Sequence, residues 1–131
     1  MAKAPDKYTY RVKALVKIVD GDTFDCDIDL GFDVVLAKQR IRLMGIDTWE
    51  SRTRNLKEKA KGLEAKAYTI NKLETSNDGK FTLKSYGTGK YGRVLGEIFL
   101  KGEELSLNDL LKENGHAYEY HGEQKKGFDV T

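Results

Sequence analysis

The sequence predicts an α+β fold, mainly β. It is a five-stranded barrel with one helix between strands three and four and a second, short helix after strand five. Three observations carry this. Apolar and polar residues alternate in short stretches, the mark of strands with one wet face. One longer stretch repeats its apolar residues at spacings of three and four, the mark of an amphipathic helix. The order of the stretches is three strands, helix, two strands, helix.

In residues 8–19, Tyr8, Tyr10, Val12, Ala14, Val16 and Ile18 fall on one face of the first strand. Asp20-Gly21 is a turn. Residues 24–30 place Phe24, Cys26, Ile28 and Leu30 on one side and Asp25, Asp27 and Asp29 on the other. Gly31 to Asp33 turn the chain into a third strand, 34–46, rich in Val, Leu and Ile. Three strands with short turns make a meander. Asn55 and Glu58 then read as a capping box. Leu56, Ala60, Leu63, Ala67 and Ile70 form one apolar stripe of the helix that follows. Strands 80–86 and 92–100 flank the turn Gly87-Thr88-Gly89. The second helix starts at Ser106, with Leu105 and Leu110 as a hydrophobic staple and Gly115 at its C-terminal cap. Ala117-Tyr118-Glu119-Tyr120 is a last extended piece. This order is the OB-fold arrangement, a five-stranded partly open barrel. A plain α+β sandwich is the alternative from pattern alone.

At 131 residues the chain reads as a single domain, 1–131, with flexible ends at 1–7 and 122–131. It is long enough to bury a core without a disulfide or a structural metal. Charged residues make up 34%, yet the net charge is only +2, so attraction to nucleic acid must come from local clustering. Cys26 is the one cysteine, which excludes a disulfide framework and a cysteine-based zinc site. Met1 to Tyr10 has no apolar core of a secretion signal. No apolar run approaches the ~18 residues of a membrane span. The expected location is cytoplasmic, or secreted if a leader was removed.

Three separated motifs carry the chemistry: Asp20-Gly21-Asp22-Thr23, Arg42 through Glu50, and Lys90-Tyr91-Gly92-Arg93. Asp22 opens strand two and Asp47 ends strand three, at the same end of a meander, so their carboxylates can converge. Two Asp oxygens, the Thr48 carbonyl and waters suit Ca²⁺. His116 and His121 are far along the chain, which disfavours zinc. Arg42 and Arg93 suit phosphate, since guanidinium binds its oxygens bidentately and keeps its charge. Alternation puts Arg42 and Asp47 on opposite faces; a bulge or strand end at Gly45 would bring them together. Glu50, three residues after Asp47, is within reach of a water beside the metal and suits a general base. Tyr91, Tyr118 and Tyr120 suit stacking of bases, or fill the rim of the core. Arg52, Arg54, Lys57, Lys59 and Lys61 are a basic run, a solvated helix face or a track for a nucleic-acid backbone. Read alone, each residue is explained by turns, surface charge or packing. The combination points to phosphodiester cleavage.

With those motifs the chain resembles the staphylococcal nuclease (thermonuclease) family, from about Tyr10 to Tyr120. Asn108 and the Ala117 to Tyr120 run also have counterparts there. The resemblance implies an OB-fold endonuclease dependent on Ca²⁺ that cleaves DNA and RNA. By it, Asp22, Asp47 and the Thr48 carbonyl hold the metal, with Asp20 behind them. Glu50 is the general base, and Arg42 and Arg93 stabilise the transition state. Lys90, Tyr91, Tyr118 and Tyr120 contact the nucleotide. Members of the family that keep the fold and lose activity would lack Asp22, Arg42, Asp47, Glu50 or Arg93; all five are present here. The other readings are a non-catalytic OB-fold module for nucleic acid or a protein, and a Ca²⁺-binding structural domain.

Three departures stand out. Trp49 replaces the family's usual proline, which frees the φ angle between metal ligand and base. Gly89 replaces the aspartate before Lys90. The family's third helix should follow the final tyrosines, and eleven residues follow Tyr120. The expected form is a monomer, with a partner chain or downstream residues over the surface that helix would cover.

Overall fold

A computed structural model of the chain describes residues 8–51, 53–75, 81–89 and 92–120. The expected flexible ends, Arg52, Lys90, Tyr91 and His121 lie outside them. Strands β1 (Thr9–Asp20), β2 (Thr23–Gly31) and β3 (Val34–Leu43) form the meander. A three-residue strand β4 (Ile46–Thr48) precedes helix α1 (Leu56–Thr75). Strands β5 (Thr82–Thr88) and β6 (Val94–Phe99), helix α2 (Leu107–Glu113) and a short strand β7 (Ala117–Glu119) complete the order.

The barrel runs β1-β2-β3-β6-β5, and β5 returns to β1, pairing Thr9 with Lys84 and Arg11 with Thr82. It is therefore closed, where the sequence reading left it partly open. Four of its five seams are antiparallel; β3 and β6 run parallel, with Ile41 opposite Val94. The core is built from inward residues such as Phe24, Ile41, Leu43, Leu83 and Ile98, all 0–1% exposed. Phe24 meets Phe81 edge to face at 5.9 Å, the arrangement that ring quadrupoles favour.

Two sequence expectations about faces are corrected. Strand β1 does not alternate simply. It carries register shifts between Val12 and Ala14, Leu15 and Lys17, and Ile18 and Asp20. Each bulge adds a residue, so Val12, Leu15 and Ile18 turn to the core while Val16 is 46% exposed. Helix α1 buries Gly62, Ala65, Thr69 and Leu73, not the predicted stripe. Leu56 is 79% and Leu63 48% exposed. The docked face is small at Gly62 and Ala65, where the helix lies close to backbone, and ends on Leu73, which joins the core.

Asn55, Ser106 and Gly115 cap the helices as the sequence indicates, but the Asn55–Glu58 capping box is only half formed, because Asn55 N donates to Thr53 Oγ1 at 3.2 Å. Asn55 Oδ1 accepts from the backbone N–H groups of Lys57 and Glu58, each at 3.1 Å. Ser106 Oγ accepts from Asp109 N at 3.1 Å. Gly115, at φ 77°, follows α2. Gly115 N donates to Lys112 O and His116 N to Leu111 O, the double closure of a Schellman end.

Candidate active site

Asp22 sits in the turn between β1 and β2. That turn is held from two sides: Leu43 N donates to Asp22 O at 2.9 Å, and Thr69 Oγ1 of α1 donates to Gly21 O at 2.7 Å. The β2–β3 register sets Thr23 opposite Arg42, which brings Arg42 beside Asp22. Strand three ends at Leu43, earlier than the predicted 46. The chain bends at Gly45, whose φ of 84° suits glycine. Asn108 Nδ2 donates to Met44 O at 2.8 Å, and Tyr120 N donates to Gly45 O at 2.9 Å. Asp47 thus lies not at the end of β3 but on β4, opposite Tyr118 of β7. The bend resets the alternation and puts Arg42 and Asp47 on one site.

Asp22 and Asp47 are each 6% exposed. Arg42 lies between them, Nη1 3.5 Å from Asp22 Oδ2 and Nη2 3.3 Å from Asp47 Oδ1. Its Nη1 also donates to Leu43 O at 2.7 Å. Thr48 N donates to Asp22 Oδ2 at 3.0 Å and Thr23 Oγ1 to Asp22 Oδ1 at 2.9 Å. Burial opposes the charge of Asp22, but the Arg42 guanidinium, the Thr48 N–H and hydrogen bonds from its neighbours outweigh it. The carboxyl is held below its ordinary range and stays ionised. Tyr118 OH donates to Asp47 Oδ2 at 3.1 Å.

These groups open into one cleft of about 330 Å³. Asp20, Asp22, Arg42, Asp47, Thr48, Glu50, Arg93 and Tyr120 all line it, so four distant segments contribute. Val19, Thr23 and Arg40 line it too. Of the expected nucleotide contacts, Tyr120 is at the cleft. Tyr118 is not a free platform: its hydroxyl serves Asp47, and its ring packs on Trp49 at 5.0 Å. That ring contact joins Trp49, just after β4, to β7. At Gly89 an added Cβ would press on Leu95 at 3.1 Å, so packing suits glycine there.

The residues present fit a hard cation. The donors are carboxylate oxygens, and Thr48 Oγ1 is buried beside them without a hydrogen-bond partner. Such an oxygen is costly to bury unpaired. Among the described residues no group of three or more His, Cys, Asp or Glu is arranged as a cage. An ion bound here would keep most of its water, as Ca²⁺ and Mg²⁺ do at sites with few protein ligands.

Sequence reasoning missed three supports. Ser51, 3% exposed, donates through Oγ to Asp20 Oδ1 at 2.9 Å. Arg40 stands at the cleft, held by Asp25 through bonds of 2.8 and 3.1 Å. Gly62 of α1 lies on the backbone of Glu50 and Ser51. Only Gly62 left a signal, a glycine inside a helical pattern.

Comparison with known proteins takes in the second and third motifs, while the first, at 20–23, lies outside the family match. A family model described as staphylococcal nuclease homologue matches residues 40–129. An uncharacterized protein of Bacillus anthracis is 30% identical over 124 residues, covering 86% of this chain and 52% of that protein. The chain spans about half the length of that curated relative.

Proposed function

The chain belongs to the staphylococcal nuclease homologue family, and from that premise we propose that it is a Ca²⁺-dependent endonuclease hydrolysing phosphodiester bonds of DNA and RNA. One observation carries the reading: the buried carboxylates of Asp22 and Asp47, the guanidinium groups of Arg42 and Arg93, and Glu50 share one cleft although they come from separate segments. Asp22, Asp47 and the Thr48 carbonyl are the ligands, with Asp20 behind them. The bound ion would neutralise phosphate charge and polarise the attacking water. Glu50 accepts a proton from the attacking water as the water oxygen adds to phosphorus, and the P–O ester bond breaks as the leaving oxygen departs as a hydroxyl, its proton supplied by solvent. Arg42 and Arg93 hold the phosphate oxygens as negative charge builds on them. Tyr120 borders the substrate; Lys90 and Tyr91, which lie outside the described residues, are the further nucleotide contacts of this reading. The substrate is a single-stranded or denatured strand, since an exposed base can stack on an aromatic ring.

Digestion of denatured DNA with Ca²⁺, with EGTA, and with Glu50→Gln tests this. Removing the base should slow cleavage by about 10²–10⁴-fold, and EGTA should stop it. A wild type that cleaves no faster than Glu50→Gln rules the enzyme out. The second reading, a non-catalytic binding module, draws on Arg42. It already pairs with both carboxylates. DNA binding that survives EGTA, without cleavage, would favour that module.

A further inference from the structure

We propose that Ser51 and Gly62 are positioning residues for Glu50, clamping the segment Trp49-Glu50-Ser51 from two sides. The inference rests on the reading of Glu50 as the base, and deepens it. Glu50 leaves a three-residue strand and stands before helix α1. A side chain on such a connection loses its aim unless the backbone beneath it is fixed. Two contacts fix it.

The first is polar. Ser51 is 3% exposed and donates through Oγ to Asp20 Oδ1 at 2.9 Å. Asp20 ends β1, and the same oxygen accepts from Gly21 N at 3.2 Å. One carboxylate oxygen therefore joins the residue after Glu50 to the turn that carries Asp22. The base and the first metal ligand share an anchor.

The second contact is steric. A Cβ at Gly62 would fall on the Glu50 carbonyl carbon, and 2.5 Å from both Glu50 O and Ser51 N. Nothing but hydrogen fits, and the obstacle is backbone, which cannot swing away. Glycine inside a helix costs roughly 1 kcal/mol against alanine. The helix accepts that cost at the one turn that lies on the base-bearing segment. One turn further on, Ala65 meets Gly21, whose hypothetical Cβ would stand 3.1 Å from Ala65 Cβ, and Thr69 bonds Gly21 O at 2.7 Å. A row of small residues on α1 thus seats both parts of the site on one rigid element. This also explains why the helix turns Leu56 and Leu63 outward.

The test uses the full chain and two independent readouts. Ser51→Ala removes the hydroxyl with little change of volume, and Ser51→Thr keeps it. Ser51→Ala should lower kcat on denatured DNA on the order of ten- to a hundredfold, the effect of a small misplacement of a catalytic group, with KM within about twofold. Ser51→Thr should restore most of it. In the Glu50→Gln background Ser51→Ala should cost almost nothing further, because the group it positions is gone. Trp49 is the one tryptophan in the chain and neighbours Glu50. Its fluorescence should become more accessible to acrylamide in Ser51→Ala and in Gly62→Ala, and return to normal in Ser51→Thr. Additive losses of kcat in the double variant would overturn the positioning role. So would Trp49 quenching unchanged in both Ser51→Ala and Gly62→Ala. A wild type as inactive as Glu50→Gln would instead remove the catalytic reading itself, and Trp49 would still decide whether the clamp exists.

Discussion

Arg42 is the residue on which the site's electrostatics turn. It pairs with both Asp22 and Asp47, each 6% exposed. Breaking a buried ion pair by removing one partner leaves charge stranded in low dielectric, which costs about 3–5 kcal/mol. Arg42→Met is therefore expected to destabilise the protein in EGTA by that order, read by urea unfolding. Ca²⁺ should recover part of the loss by binding the folded state, at the two carboxylates the variant leaves unpaired. A stability loss that Ca²⁺ does not touch would speak against a cation site there. The residue types of this site were legible in the sequence. Asp22, Arg42, Asp47 and Glu50 stand in short motifs at fixed spacing. The partners were not legible, because Ser51 on Asp20 and Tyr118 on Asp47 join residues 31 and 71 positions apart, and no local pattern encodes such a pairing.

Among elements, α1 decides the most. Its existence and its Asn55 cap follow from local chemistry. Its docked face does not, because apolar residues recur at helical spacing on the exposed side as well. Close approach to the turn at Gly21 selected the side bearing Gly62, Ala65 and Thr69. Thr69 is 0% exposed and its hydroxyl meets the Gly21 carbonyl. Thr69→Val keeps the shape and leaves that carbonyl buried and unpaired, so a loss of about 1–3 kcal/mol is expected. Thermal or urea unfolding measures it. A neutral result would mean that water replaces the hydroxyl. Strand β1 teaches the same lesson: its bulges convert a spacing of two into one near three, and bulges depend on the partner strand.

For the molecule as a whole, Cys26 reports on the integrity of the barrel. It is 0% exposed. Burial first, and then the nearby charges of Asp27 and Asp25, push its thiol up to about 12 from an ordinary 9.0. The folded chain keeps the thiol neutral, whereas the unfolded chain ionises it near pH 9, so stability falls as pH rises from about 9 towards 12. At pH 8 the native protein should resist an aromatic disulfide reagent that labels it promptly in urea, and slow native labelling should track global unfolding. Fast native labelling would mean that the barrel opens locally at β2. Closure itself rests on β5 returning to β1 and on β6 lying parallel to β3. The sequence by itself determined the order of strands and helices, the caps, and which residue types serve the chemistry. Those depend on spacing within one segment. Only the tertiary structure decided the face of α1, the separate strand that carries Asp47, and the supports of Glu50, because each rests on backbone approach between segments distant in the chain.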